Sequence, residues 1–361
     1  MTSQVIAAMP SAANDHRPST SSPPPHPESI AMHRRQFLGL TAGTLAVGAL
    51  AACAPRAAQK VLTATAGDRG KLDSVAAFNA ARRFASNRFG EIAYVERGSG
   101  PAALFLHGFP LNGYQWRGAI DRLSPYRRCV APDSMGLGYT RPAPGQGVAP
   151  ADQVRMLDTL LDQLGIDTVD IVANDSGGAV AQLFMTTHPD RVCSVLLTNC
   201  DVEPDSPPPA VLPVIEAARR GRFADEWLAP NVADKTFARS PKGLGGATFT
   251  YPERMADDTF DMYLKPIIAT PARKALADAY ALGLTPNPLA GVEPLLRKST
   301  IPTRILWGTG DKIFAASDPG YLDKTLGNSK GVRKIEGANL FFPEEFPDVI
   351  AEEARKLWGV S

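Results

Sequence analysis

The chain has 361 residues, with 38 Lys and Arg against 37 Asp and Glu and a formal net charge of +1. That balance leaves no basic surplus to hold a nucleic-acid backbone, so no such partner is expected. Apolar residues make up 44% and charged ones 21%, as in an ordinary globular protein, and the length suits one large domain or two small ones.

Residues 1–30 are rich in Ser, Pro and Ala, with the run Ser22-Pro23-Pro24-Pro25, and have too few apolar side chains to build a core. His33-Arg34-Arg35-Gln36-Phe37-Leu38 follows, then an apolar run that ends in Leu50-Ala51-Ala52-Cys53. Paired arginines ahead of a short apolar run read as an export signal of the twin-arginine kind. The run is short for a membrane span. Leu-Ala-Ala-Cys resembles a bacterial lipoprotein cleavage box, which makes Cys53 the lipidated first residue of the mature protein; the alternative is a plain signal peptide that ends near a cysteine. On this reading residues 1–53 are leader and signal and residues 54–75 a tether. The mature chain is then a periplasmic lipoprotein that meets a bacterial membrane only through its lipid. Met1 and Met32 both remain possible starts. Cys193 and Cys200 lie seven positions apart on one predicted strand, about 23 Å when extended, too far for a bridge. With Cys129 they are expected as buried, small apolar residues.

Arg83 to Glu96 fits two opening strands with a turn near Gly90. A strand follows at Leu104-Phe105-Leu106. Val154, Leu157, Leu160, Leu161 and Leu164 keep a 3.6-residue period, and Gly165 stops that helix. From Val169 to Ala179 a β-branched run gives way to Asp175, Ser176, Gly177, Gly178 and a helical pattern: a strand, a sharp turn and a helix. Small residues at Ala173, Gly177 and Gly178 put Asp175 at the tip of the turn. Ser176 takes that place only if the turn shifts by one, which sets the bulkier Asn174 two positions ahead. A simple helix-capping Asp175 is the other reading. Val195 to Asp201 is a further strand. From Glu203 the pattern turns helical after Pro207-Pro208-Pro209, and Arg304 to Trp307 returns to strand. Alternating strands and helices predict a mostly parallel sheet covered on both faces.

The stretch around Asp175 resembles the nucleophile elbow of the α/β-hydrolase fold, nearest to the branch of haloalkane dehalogenases and epoxide hydrolases, which use Asp in place of Ser. Leu104 to Pro110, with His107-Gly108-Phe109, resembles the strand and oxyanion loop. Ala131 to Gly138 resembles the loop after the next strand, and Ile305 to Asp311 the strand that presents the acid. The resemblance covers roughly the last three-quarters of the chain. It implies an eight-stranded, mostly parallel sheet, a core of residues 76–202 and 291–361, and a helical cap over residues 203–290. It also implies Asp175 as nucleophile, the N–H groups of Phe109 and Ser176 as oxyanion donors, His107 beside the site, and an acid at Asp311 or Asp201. No cofactor or metal is implied, and the partner is a small-molecule substrate. Tyr251, Tyr263 and Tyr280 fall in the cap. Each can pack between helices, and one facing the site could polarise an epoxide or carbonyl oxygen.

The family's histidine base belongs after the last strand, where this chain reads Gly337-Ala338-Asn339-Leu340-Phe341; the slot falls at Asn339 or Leu340. His16, His26 and His33 are in the leader, and His188 ends the helix after the elbow. Two halide-binding positions also differ, with Ser176 in place of Trp and Phe109 in place of Asn, which disfavours dehalogenation. Three functions follow: a hydrolase with an Asp nucleophile and a non-standard base, a lyase or isomerase with Asp175 as general base, or a catalytically silent binding protein.

Overall fold

In the computed structural model, which describes residues 70–361, nine strands form one sheet. They are β1 (Arg82–Asn87), β2 (Gly90–Arg97), β3 (Ala102–Leu106), β4 (Arg128–Pro132), β5 (Arg141–Pro142), β6 (Val169–Asp175), β7 (Val192–Cys200), β8 (Thr303–Gly308) and β9 (Ser329–Ile335). Eight follow the order β1-β2-β4-β3-β6-β7-β8-β9, and the two-residue β5 pairs with β2 beside that path. The sheet therefore has one short strand more than the eight expected. β2 is antiparallel to β1, β4 and β5, and every pairing from β4 to β9 is parallel.

The central strands explain why the site sits where it does. β3 and β6 are buried at every position, so they read as continuous apolar runs rather than alternating ones. Such strands need helices over them. The helix Arg117–Leu123 packs with Pro347–Trp358, and Pro150–Gln163 packs with Ser176–Thr187. Pro150–Gln163 buries Val154, Leu157, Leu160 and Leu161, the predicted stripe, and the chain leaves it through Gly165 at φ 64°. All parallel strands point their carboxyl ends the same way, so the loops after β3, β6, β7, β8 and β9 gather along one edge of the sheet.

Between β7 and β8 the described chain forms helices and no strand. The longest are Leu212–Arg219, Asp257–Ile268 and Pro271–Leu282. Phe260, Tyr263 and Tyr280 from this segment are among the most deeply buried large side chains.

Some expectations change. The helix Val75–Ala81 carries no long apolar period and was not anticipated; Ser74 caps it by accepting from the Ala77 N–H at 3.1 Å. Leu72 is buried and its N–H donates to the Asp121 carboxylate, so the tether expected over residues 54–75 is already folded structure by Leu72. The helix after the elbow begins at Ser176. Cys129 and Cys200 are buried free thiols as expected, whereas Cys193 is half-buried and is not a free thiol. Arg34, Arg35 and Cys53, and with them the export and lipidation readings, lie outside the described residues. Among the described residues no helix is long and apolar enough to cross a membrane.

Candidate active site

β6 ends in a strained residue. Asp175 has φ 55° and ψ −132°, and it is the one non-glycine residue with positive φ among those described. Such backbone costs about 1–3 kcal/mol and persists only where the surroundings fix it. Here they do. A Cβ on Gly178 would lie 2.3 Å from Cys200 Cβ, and one on Gly108 would lie 2.8 Å from Asp175 Cβ and 2.7 Å from the Phe341 ring. The elbow, the loop after β3 and the end of β7 thus approach closer than any side chain on those glycines allows. Strain falls on Asp175 and not on Ser176, so the turn is in the unshifted register.

Asp175 occupies the N-cap position of Ser176–Thr187 but makes no side-chain capping bond. Its Oδ1 instead accepts from the Phe109 N–H at 2.6 Å, across 66 residues of sequence. The Ser176 N–H and hydroxyl lie next to this carboxylate and, like the Phe109 N–H, act to lower its pKa. Both expected oxyanion donors therefore converge on the one side chain.

The electrostatics separate the two candidate acids. Burial first, and the Asp201 carboxylate second, push Asp175 up to about 7, against the opposing pull of the Phe109 and Ser176 donors. Burial pushes Asp201 up to about 6, although the Ser206 hydroxyl donates to its Oδ1 at 2.9 Å. Asp175 and Cys200 are register partners on β6 and β7, and that pairing brings Asp201 beside the elbow. Asp311 is also raised by burial, but its oxygens are occupied: Oδ2 accepts from Asn199 Nδ2 at 2.7 Å and Oδ1 from the Ile313 N–H at 2.8 Å.

The roof comes from the helical segment. Phe109 stacks on Tyr280 with centroids 5.2 Å apart and planes 8° from parallel, and it also meets Phe223 at 5.2 Å. The Tyr280 hydroxyl lies 3.0 Å from Ser176 Oγ. Among three tyrosines with equal claims in the sequence, Tyr280 reaches the elbow. Tyr263 donates to Glu344 at 2.5 Å, and Tyr251 is exposed against Phe346.

His107 is sealed into the loop it shapes. Its Nε2 accepts from the Ser134 N–H at 2.9 Å, which leaves Nδ1 to carry the proton and donate to the Gly108 carbonyl at 2.9 Å. Burial lowers its pKa and keeps the ring neutral. His188 caps the far end of Ser176–Thr187, with Nδ1 on the Thr187 hydroxyl.

The stretch where the histidine slot falls has become structural. Asn339 Nδ2 donates to the Phe249 carbonyl at 2.8 Å, and the Asn339 N–H donates to Thr250 Oγ1 at 3.0 Å. Leu340 is buried, and its carbonyl accepts from Asn174 Nδ2 at 3.1 Å. Asn174 Oδ1 accepts from Gln115 Nε2 at 2.6 Å, and Gln115 Oε1 accepts from the Gly108 N–H at 2.9 Å. Two buried amides thus tie the loop after β3, the elbow and the loop after β9 together. Nothing in the sequence marks Gln115 for that part. Among the described residues no group of three or more His, Cys, Asp or Glu side chains is arranged to hold a metal ion.

The family model for the α/β hydrolase fold matches residues 101–346. A haloalkane dehalogenase of Mesorhizobium japonicum is 30% identical over 244 residues, 64% of this chain and 73% of that protein. A soluble epoxide hydrolase of a Corynebacterium species is 26% identical over 274 residues, 74% of this chain and 93% of that protein. Among solved structures, a thermophilic esterase of Thermogutta terrifontis superposes with a TM-score of 0.62 at 24% identity, over 77% of this chain and 98% of the esterase. By these matches the chain belongs to the α/β hydrolase fold family, in its branch of haloalkane dehalogenases and epoxide hydrolases.

Proposed function

We propose that this hydrolase attacks a small electrophilic organic substrate with the Asp175 carboxylate and completes turnover with a carboxylate base in place of histidine. The observation that carries the reading is the 2.6 Å bond from the Phe109 N–H to Asp175 Oδ1. A nucleophilic carboxylate needs one oxygen held and the other free to attack carbon. The held oxygen becomes the ester carbonyl oxygen, and the same donors then stabilise the negative charge that develops on it when water adds.

Asp201 is the better candidate for the base. Asp311 has its lone pairs taken by Asn199 and backbone N–H groups, whereas Asp201 lies beside Asp175 and is raised toward neutrality, where a carboxylate removes a proton from water more readily. Asp201 takes the proton, the hydroxide adds to the ester carbon of Asp175, and the alcohol leaves with that proton. A second reading has one observation in its favour. An Asp175 pushed to about 7 is also suited to abstract a proton from carbon, as a lyase or isomerase requires.

Intact mass measurement after incubation with epoxides, alkyl halides and activated esters distinguishes these readings. The parent chain should turn over, Asp201→Asn should accumulate an ester on Asp175, and Asp175→Asn should do neither. Turnover that survives in Asp201→Asn would remove Asp201 as base. Turnover lost in Asp175→Asn with no ester in any variant would favour the second reading. Ligand binding with neither ester nor turnover would make the protein a silent binder.

A further inference from the structure

The buried amides of Gln115 and Asn174 have one polarity open to them. Asn174 Nδ2 faces the carbonyls of Thr198, Asn199 and Leu340 at 3.3, 3.1 and 3.1 Å, and carbonyls only accept. Asn174 Oδ1 is therefore the end that meets Gln115, and Gln115 donates to it through Nε2 at 2.6 Å. Gln115 Oε1 is left for the Gly108 N–H at 2.9 Å, which only donates. Gln115 is 1% exposed and Asn174 is 0% exposed, so neither amide can trade these bonds for bulk water. What the two amides hold is the backbone around Gly108. The Gly108 carbonyl accepts from the Leu111 N–H at 2.8 Å and from His107 Nδ1 at 2.9 Å. With its N–H on Gln115, both polar groups of Gly108 are fixed. The peptide from Gly108 to Phe109 is trans, so its N–H points opposite to its carbonyl. One direction is left for the Phe109 N–H, and along it lies Asp175 Oδ1 at 2.6 Å.

We propose that Gln115 and Asn174 are positioning residues that aim the Phe109 N–H, and that they set the rate of ester cleavage while leaving ester formation nearly unchanged. The inference rests on the reading of Asp175 as nucleophile. In ester formation Asp175 Oδ2 attacks the substrate carbon, and the bond to the leaving group breaks with its electron pair. The charge that the Phe109 N–H faces on Oδ1 declines in that step, so a donor out of line costs little. In ester cleavage a water O–H bond breaks, its proton goes to the base, and the hydroxide oxygen bonds the ester carbon. The carbonyl electron pair moves onto Oδ1, and the Phe109 N–H now faces a full negative charge. Only this second step strengthens the bond, so only this step needs the donor held in line. The pair then returns, the bond to the alkoxy oxygen breaks, and the alcohol leaves with the proton that the base took. The stretch without a histidine still serves the site on this account, because the Leu340 carbonyl is one of the three that orient Asn174.

The full chain and the variants Gln115→Met, Gln115→Glu, Asn174→Ala and Asp175→Asn are each mixed with styrene oxide or 1-bromohexane and quenched at intervals. Intact mass follows the rise and the decay of the ester, and a denaturant midpoint confirms that each variant is folded. Gln115→Met keeps the shape and loses both bonds. Its ester should form within about threefold of the parent rate and be cleaved at least about tenfold more slowly, a part of what an oxyanion donor contributes. Asn174→Ala should slow the same step, and the double variant should be no slower than the worse of the two, because both act through one donor. Gln115→Glu is the rescue. A neutral carboxyl accepts from Gly108 and donates to Asn174 as the amide does, whereas a carboxylate only accepts. At pH 5 this variant should cleave the ester faster than Gln115→Met, and its rate relative to the parent should not rise with pH. Formation and cleavage slowed by equal factors in Gln115→Met would reduce the amides to a packing role and overturn the proposal. Cleavage at the parent rate in Gln115→Met, or a Gln115→Glu variant no faster than Gln115→Met at pH 5, would overturn it as well. No ester in any variant, or an ester that persists in Asp175→Asn, would instead remove the nucleophile reading and the inference with it.

Discussion

Asp175 bears backbone strain and a buried charge together, and the second has a measurable signature. Asn in its place keeps an acceptor for the Phe109 N–H and removes the charge. The folded carboxyl titrates near 7, against about 3.9 for an unperturbed Asp. Below pH 4 both folded and unfolded chains hold the proton, and Asp175→Asn gains nothing. Between about 4 and 7 the folded chain holds a proton that the unfolded chain has released, so the parent loses stability as pH rises. Above 7 the loss is complete, and Asp175→Asn should be more stable by roughly 4 kcal/mol. Denaturant midpoints at pH 5 and pH 8.5 check this, and a difference that does not change with pH would contradict it. Asp175 itself was legible from Ala173, Gly177 and Gly178, because the turn tolerates only small neighbours. The partners that tune it were not. Asp201 and Asp311 both follow strands and look alike in sequence. Only the folded chain reveals that Asn199 and an N–H turn occupy one of them, while Ser206 holds the other close enough to raise the pKa of Asp175. Tyr280 lies 104 residues from Ser176, and no local pattern sets it apart from Tyr251 and Tyr263.

The loop after β9 illustrates how a segment can keep its place and change its work. The stretch after β9 holds the helical segment by bonds from both side chains and backbone: Asn339 to Phe249 and Thr250, the Phe341 N–H to the Thr248 carbonyl at 3.0 Å, and the Glu345 carboxylate accepting from the Thr250 and Tyr251 N–H groups at 2.8 and 2.7 Å. Glu345→Ala leaves those two N–H groups without their acceptor and should cost about 1–3 kcal/mol. The loss should be local. Hydrogen exchange should rise at residues 244–251 and stay unchanged in β3 and β6. Equal loss of protection throughout would mean that the loop supports the whole fold rather than the segment it grips. Strands and long helices were legible because burial imposes their periods. The absence of histidine was legible too, but the clamp that replaces it joins residues about 90 positions apart. The helix Val75–Ala81 escaped notice because seven residues with one buried Phe78 carry no period to read.

At the scale of the whole molecule, that short helix matters more than its length suggests. Leu72 and Phe78 are buried, and Phe78 meets Tyr114 edge-on at 5.2 Å. Tyr114 packs on Tyr263 at 5.8 Å, and Tyr263 donates to Glu344, which also pairs with Arg117 at 2.8 Å. Contact therefore runs unbroken from Phe78, through two rings of which one belongs to the helical segment, to a hydrogen bond on Glu344 after β9. A chain starting at Gly70 retains all of it, whereas one starting at Arg82 loses both apolar anchors. Burial of each is worth about 1.5–3 kcal/mol, so the shorter chain should be less stable by roughly 3–6 kcal/mol. It should also expose the Tyr114 and Tyr263 rings to quenchers. If the Arg82 chain unfolds at the same denaturant concentration as the Gly70 chain, the segment before β1 is an appendage, and the buttress assigned to it does not exist.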